Sequence, residues 1–531
     1  MSNVTYLFVP AQPTPNGPLH LGHIAGPYLK CDIMARFLRQ LGNRAAIVTG
    51  LDSYDSYVLR SAHQRNTSAQ DTAAYWGSVI CKNLTDLNIE YDGILNPCDP
   101  IVSDKYNQSC QNSLNEICSA GWVNSVDELM PYAQSEDESL TGYSISGSCP
   151  SCSGSMAGYF CESCGGLSSP TQLVSPKTEN QEWKWQYRTN YFLDHEKIPV
   201  ERLRQHLDAS KLPDTVSKMI DSKLISKDTI RLTTNKKWGL SVAGGPHSDT
   251  VFFNYHAHGD YRLYGDVAKV KLGLNENPFD VGSKTVTAYF FGFDNTVGVL
   301  GELAISILKT NFKPFDFYLS NKFMTLGGKK FSTSRRLAIF VDELTDFGVN
   351  VDLIRLFLAL QDLTSSEQDF SIEEFTKFCK FFKNFSEQLL IIIQMLSEHN
   401  IKNWHPAESE QMLCSNMLSA HQADLKLETH NVASAALRVL KWVESARNVR
   451  QESSDTQCTW LLTFALLTYP FMPRIANSIS LFLGTGQIPM FSLQNSSFQL
   501  DTEIDIAQYL PFCDPVALDK LIAHCEKLAS R

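Results

Sequence analysis

Two short stretches, VTYLFVPA (4–11) and AAIVTGL (45–51), are β-branched and apolar enough to be buried strands. Between them Leu21, Ile24, Ile33, Met34, Phe37 and Leu38 recur at roughly helical spacing, and Gly42 closes the run. Strand-like runs alternating with helical patterns continue to about residue 110, which predicts parallel strands joined by helices. Pro15, Asn16, Gly17 and Pro18 are turn formers, so His20 and His23 fall where a strand hands over to a helix N-terminus. The texture changes between about 116 and 230: an acidic loop SEDES, a Ser/Gly/Cys-rich patch, then the aromatic EWKWQYRTNYF. A second α/β stretch follows to about 335, with strand-like TVFFNYH, KTVTAYFFGF and FDFYLSNKFMTL. From about 370 the pattern is helical, and WLLTFALLTYPFMP (460–473) predicts a bundle helix ending near Pro470. An α/β sheet split by an insertion and followed by helices is the expected architecture.

Composition narrows this without changing it. At 531 residues the chain exceeds one hydrophobic core, and 43% apolar with 19% charged residues is ordinary globular usage. A net charge of −11 argues against a broad basic nucleic-acid surface, leaving room for a local patch. The N-terminal residues carry no basic segment followed by an apolar one, and the most apolar run is too short and interrupted to span a bilayer. The expectation is therefore a cytoplasmic protein with no membrane partner, whose fourteen cysteines are thiols.

CPSCSGSMAGYFCESCGG holds two CxxC pairs, Cys149/Cys152 and Cys161/Cys164. Each knuckle can place two thiolates on one tetrahedral zinc, and two knuckles complete a structural site with no open position for chemistry. Four unrelated buried cysteines, or a redox pair, are the competing explanations; a redox function needs only one pair.

A lone His-x-x-His at a helix start also serves as capping or packing. Its weight comes from MTLGGKKFSTSRR (324–336), where a strand runs into Gly327-Gly328 and a loop of ammonium and hydroxyl groups suited to a polyphosphate. HLGH resembles the first signature of class I aminoacyl-tRNA synthetases, and KFSTS the second. The order of parts is similar to that of methionyl-tRNA synthetases over about residues 4–480, and NKKWGLSV, AYFFGFDN and KKFSTSRRLAIFVDEL resemble the archaeal-type branch. The resemblance implies a Rossmann-like class I catalytic domain split by a zinc-knuckle insertion and followed by an α-helical bundle. The corresponding boundaries are 1–115 and 231–335 for the two catalytic halves and 116–230 for the insertion. A linker and stem-contact region takes 336–372, and an anticodon-binding-like domain 373–531.

The resemblance further implies an ATP-dependent ligase of protein biosynthesis that forms an aminoacyl-adenylate and passes the acyl group to tRNA. His20, His23 and Lys330 are then the catalytic groups. Gly22, Lys329, Lys330, Ser332, Thr333 and Ser334 bind ATP, with Mg²⁺ sharing the phosphate charge. Thr333 stands where the family often has a second lysine, as in archaeal-type members. Asp52 of TGLDSYDSY fits the acid that binds the substrate ammonium.

The side-chain pocket departs from the family. Gln12 and Thr14 replace an apolar and an aromatic residue, Tyr255, His256, His258 and Arg262 replace a largely apolar motif, and Val299 replaces a histidine. A thioether cannot satisfy several buried polar groups, so these substitutions predict a polar amino acid rather than methionine. An inward Arg262 would suit a carboxylate. In the helical region NFSEQ keeps Asn384 but has Gln388 in place of an arginine, and the Ala-Pro-Trp feature is missing. Two other readings follow: a paralogue acylating a small molecule, peptide or carrier amine without tRNA, and a non-catalytic binding protein on the same fold.

Overall fold

The computed structural model describes residues 4–134, 137–161, 164, 166, 168–178, 182–209, 212–226, 230–253, 259–331, 337–399, 401, 404–405, 408–489 and 498–529. Its centre is a parallel sheet of β1 (Thr5–Pro10), β2 (Arg44–Gly50), β3 (Gly93–Leu95), β6 (Val286–Gly292) and β7 (Phe317–Asn321), in the order β7-β6-β1-β2-β3. β1 is the middle strand, with Phe8 opposite Ile47 on one side and Ala288 on the other. Its apolar residues are buried on both faces, because successive side chains of a strand point to opposite sides. Phe8 joins the cluster that continues into the helical region, while Leu7 and Val9 join the cluster containing Tyr264 and Phe291. Strand order reverses between β1 and β6, and in open α/β sheets ligands bind at such a switch point, outside the carboxyl ends of the strands.

Between β3 and β6 the chain leaves the sheet. β4 (Val123–Ala133) and β5 (Trp183–Leu193) form an antiparallel ribbon paired from Val123↔Leu193 to Ala133↔Trp183. Between them a second antiparallel sheet of Ser146–Ser148, Ser155–Ala157, Phe160–Cys161 and Val174–Lys177 carries the four cysteines. The parallel order thus resumes only after the insertion.

The first crossover helix is irregular where the sequence makes it so. One turn, Leu21–His23, widens over Ile24–Tyr28 before the regular helix α1 (Leu29–Gln40) begins. Pro27 has no N–H to donate, and Gly26 leaves helical geometry at ψ −111°. A Cβ on Gly26 would stand 2.7 Å from the Asn321 side chain, so close contact with the end of β7 requires glycine there.

The remaining helices that matter for the site are α2 (Gly259–Leu272), α3 (Thr296–Leu308) and α4 (Val351–Ala359). Beyond α4 lie Ile372–Glu398, Glu408–Asp424, Val432–Glu444, Ser454–Thr468 and Pro473–Phe482. The apolar run at 460–473 is helical through Thr468 and stops before Pro470, as its pattern predicts. Among the described residues no helix is long and apolar enough to cross a membrane.

One buried charge network joins the sheet to the helical region. Arg355 of α4 is fully buried and donates to Asp32 of α1, to the carbonyls of Leu87 and Asn88, and to those of Pro470 and Phe471. Arg36, one turn beyond Asp32, binds the same carboxylate at 2.8 Å.

Candidate active site

A cavity of about 310 Å³ opens at the switch point. Its wall combines the segment after β1 (Ala11–Thr14), the histidine turn, residues after β6 (Gly292, Asp294, Asn295) and the strand pair that carries Lys330. That pair, β8 (Met324–Leu326) and β9 (Lys329–Lys330), is a hairpin whose two turn residues are Gly327 (φ +57°) and Gly328 (φ +73°). Positive φ at both central residues is what a two-residue hairpin turn demands, and glycine meets it without strain.

The two histidines cap each other. The His23 N–H donates to His20 Nδ1 at 3.2 Å and the His20 N–H to His23 Nδ1 at 3.3 Å. Their rings stack at 3.6 Å between centroids, 12° apart in plane. A nitrogen that accepts from a backbone N–H carries no proton, so the tautomer follows: both Nδ1 atoms are bare and both Nε2 atoms carry the hydrogen. Burial holds His20 well below the usual histidine range, aided by His23 and Lys330. Burial also lowers His23, to about 4, against the pull of Asp294. At neutral pH the pair therefore offers two uncharged N–H donors at a helix start. A Cβ on Gly22 would stand 3.1 Å from the His20 ring and 3.3 Å from Phe331, so glycine leaves room for the stack.

The structure brings the two sequence segments together. Leu21 N–H donates to the Ile339 carbonyl and Val341 N–H to the Leu19 carbonyl, tying the chain after the hairpin to the histidine turn. Lys330 lines the same cavity, 3.1 Å from Asp294 Oδ2 and 3.7 Å above the Phe323 ring centroid. Lys329 is exposed at the rim of a larger outer cleft of about 910 Å³. That cleft is also lined by Arg60, His63, Tyr143 and Lys236, and by Ser155 and Ala157 of the cysteine-bearing sheet. Ser332, Thr333 and Ser334 lie outside the described residues.

Asp52 sits behind Thr14, whose hydroxyl bonds its carboxylate. Burial pushes the carboxyl up and Asp55 adds to that, while Lys236 and Thr14 oppose them. Lys236 is itself buried, with Nζ 2.8 Å from the Tyr54 carbonyl, and Trp238 Nε1 donates to the Ser53 carbonyl at 3.0 Å. The segment NKKW thus clamps the divergent DSYD turn. Sequence reasoning quoted this segment without seeing a role for Lys236. Asp294 stood inside GFDN and was likewise missed; an acid between a buried strand and a helix was the available signal.

Gln12 borders the cavity, but its Nε2 points away from it, donating to Asp260 Oδ2 at 2.7 Å and to the Tyr264 hydroxyl. Two expected contacts are corrected. Arg262 pairs with Asp280, donates to the Asn311 carbonyl and lies over the Phe312 ring. As a residue of α2 it faces the neighbouring loop, so its guanidinium is spent and the carboxylate-binding role falls. Val299 is buried in the apolar cluster with Ala11 and Tyr289 and does not border this cavity, because α3 is apolar around most of its circumference. Tyr255, His256 and His258 lie outside the described residues.

In the insertion the sulfurs of Cys149, Cys152, Cys161 and Cys164 all lie within 4.8 Å of one another. Cys149 and Cys164 are 3.8 Å apart, and Cys152 and Cys161 3.5 Å. Zinc–sulfur bonds of about 2.3 Å in a tetrahedron give S···S edges of about 3.8 Å, so the cluster is the right size for zinc. Backbone N–H groups of Ser151 and Gly154 point at the Cys149 and Cys152 sulfurs, each at 3.4 Å, as thiolates require.

Comparison with known proteins agrees with this layout. Residues 6–380 match the family described as tRNA synthetases class I (M). A methionine–tRNA ligase of Methanococcus aeolicus is 26% identical over 389 residues, covering 71% of this chain and 56% of that relative. The methionine–tRNA ligase of Chlamydia abortus is 26% identical over 404 residues, covering 73% and 71%. The chain thus spans little more than half the length of the first relative. In fold it is similar to Mycobacterium tuberculosis methionyl-tRNA synthetase in complex with methionyl-adenylate, with a TM-score of 0.69 and 16% identity over 94% of this chain and 98% of that one. The family match runs through both halves of the sheet and the hairpin that closes its cavity, and on that ground the chain belongs to the class I tRNA synthetases (M).

Proposed function

We propose that this protein is an ATP-dependent ligase that activates an amino acid as its adenylate and transfers the acyl group to tRNA. The observation that carries this is the convergence of two neutral Nε2–H donors and the Lys330 ammonium in one cavity at the switch point. The phosphates of ATP would lie against the Nε2–H groups of His20 and His23, with Gly22 allowing close approach and Lys329, Lys330 and Ser332–Ser334 closing over them. Asp52 would take the α-ammonium, whose charge offsets the burial that raises this carboxyl. The substrate carboxylate attacks the α-phosphate, an O–P bond forms, and the bond to the β-phosphate breaks with its electrons leaving on pyrophosphate. Charge building on the phosphoryl oxygens meets donors already in place, which is how such a site accelerates a displacement. Mg²⁺, bound with the nucleotide, supplies further charge neutralisation on the phosphates. A tRNA terminal hydroxyl then attacks the acyl carbon and AMP departs; the names of the relatives support tRNA as this acceptor, and the outer cleft gives it access.

We read the substrate as an amino acid with a polar side chain, since Gln12 and Thr14 stand at the amino-acid end of the cavity. In ATP–pyrophosphate exchange across the amino acids, a polar one is expected to lead and methionine to be poor. Methionine leading with ordinary efficiency would refute this, and no exchange with any amino acid would refute the ligase reading.

Structural zinc on Cys149, Cys152, Cys161 and Cys164 completes the proposal. Elemental analysis of freshly purified protein is expected to give one zinc per chain. Cys161→Ser should lose the metal and expose the insertion to proteolysis, because metal-binding energy there is folding energy. Metal-free wild-type protein would count against the site.

A further inference from the structure

We propose that Asp260 fixes the Gln12 side-chain amide with its carbonyl oxygen toward the amino-acid end of the cavity, and that this acceptor selects a substrate side chain bearing a hydrogen-bond donor. The inference rests on the ligase reading and narrows it to hydroxyl, amide or ammonium side chains.

An amide can be placed either way round, and only its partners decide which. Gln12 Nε2 meets Asp260 Oδ2 at 2.7 Å and the Tyr264 hydroxyl, two groups that accept. The reverse orientation would press Oε1 against a carboxylate oxygen, acceptor to acceptor, in a buried place where an unmade hydrogen bond costs most. Asp260 cannot turn away, because its Oδ1 takes the Tyr261 N–H at 3.0 Å and its Oδ2 lies 3.4 Å from the Tyr264 hydroxyl. Among the described residues no hydrogen bond reaches Gln12 Oε1, and Gln12 is half-buried on the cavity wall. The carbonyl is thus the end of the amide left to a ligand.

The surroundings push the same way. The groups facing Asp260 are Gln12 after β1, Tyr261 and Tyr264 on α2, and Tyr106 and Cys110 on the helix Pro100–Ser119. Glu302 on α3 is reached through the Tyr261 hydroxyl, and Asp52 follows β2. The set holds three acids, which disfavours a carboxylate side chain and suits one that donates. A thioether would cover the Gln12 carbonyl without bonding it. Burial pushes Asp260 up to about 6 and Glu302 up to about 8, so at neutral pH Asp260 is the ionised partner that holds the amide and Glu302 is protonated.

The test is amino-acid-dependent ATP–pyrophosphate exchange with wild type, Gln12→Leu and Asp260→Asn. Wild type is expected to favour a donor-bearing amino acid over methionine by about 10²-fold or more in kcat/KM, the discrimination a hydrogen-bonding site can reach. Gln12→Leu should cut that ratio at least tenfold, mainly through the KM of the favoured substrate. Asp260 acts as a positioning residue. As asparagine it can donate to Gln12, release the amide to turn, and lower the same ratio with Gln12 still present. In wild type the ratio should fall below about pH 6, where Asp260 takes a proton and no longer dictates the amide, and in Asp260→Asn that pH dependence should vanish. Methionine preferred by wild type, or a ratio unmoved in Gln12→Leu, overturns the inference while leaving the ligase intact. Absence of exchange with every amino acid overturns the ligase reading and the inference with it.

Discussion

Alanine at His20 or His23 is expected to slow ATP–pyrophosphate exchange by about 10²-fold or more, the loss typical of removing one preorganised donor from a developing charge. ATP affinity should change far less, because the ground-state phosphates keep Lys330, the hairpin and solvent. The two substitutions are not independent. Each ring supplies the Nδ1 that caps the other residue's backbone N–H and stacks on the other ring, so removing one loosens the second. The double variant should therefore fall well short of the product of the single losses. The histidine pair also makes a statement about pH. Both rings are held below the usual histidine range by burial, His23 to about 4, so neither should impose a titration on kcat between pH 6 and 7.5. The same shifts act on stability. The unfolded chain protonates these rings below about pH 6.5 while the native one resists, so stability declines as pH falls from there toward 4. Unchanged exchange rates in both single variants, or a kcat step near 6.5 that disappears in them, would remove the histidines from the mechanism.

The parts of this fold legible in the sequence are those written in local pattern. β1 and β2 are continuous apolar runs because both faces of a parallel strand are covered, and Phe8 and Val9 do fall into separate clusters on the two sides. The CxxC spacing announced the cysteine cluster, and turn formers before His20 placed the histidines at a helix start. What stayed hidden depends on residues distant in sequence. The mutual capping of His20 and His23 replaces an ordinary Ser or Asp cap, and no propensity scale anticipates it. Arg262 looked like a pocket cation, yet only the fold reveals that Asp280 and Asn311 lie beside it. Asp260 read as one polar residue in a divergent motif. Its meaning appears when the end of β1, 248 positions earlier, brings Gln12 to it. Alignment by motif treats each substitution singly, whereas Gln12, Asp260 and Tyr264 form one hydrogen-bonded unit.

The largest expected loss of stability comes from Arg355→Met. Arg355 is fully buried and serves five acceptors drawn from three parts of the chain: Asp32 on α1, the carbonyls of Leu87 and Asn88, and those of Pro470 and Phe471. Methionine fills much of the volume but donates nothing. Three buried carbonyls and half the counter-charge of Asp32 are left without a partner, and breaking a buried pair from one side costs about 3–5 kcal/mol. Asp32 would keep Arg36 at 2.8 Å and the Glu90 N–H at 2.9 Å, which holds the cost within that range. The reciprocal change, Asp32→Asn, keeps an acceptor for both arginines and should cost less. Acid titration separates this mechanism from simple packing loss. Burial alone would raise the Asp32 carboxyl, but Arg36 and Arg355 outweigh it and hold the group below the usual carboxylate range. The stability this pairing contributes is complete above the unfolded-state value near 4 and is lost as pH falls toward the lowered native value. Without Arg355 the native value rises, so part of the contribution should already be missing at neutral pH and the acid transition should move upward. Urea midpoints from pH 7 down to pH 3.5 would report both effects. A variant as stable as wild type, with an unshifted acid limb, would mean that the network joining the sheet to the helices carries no net stabilisation.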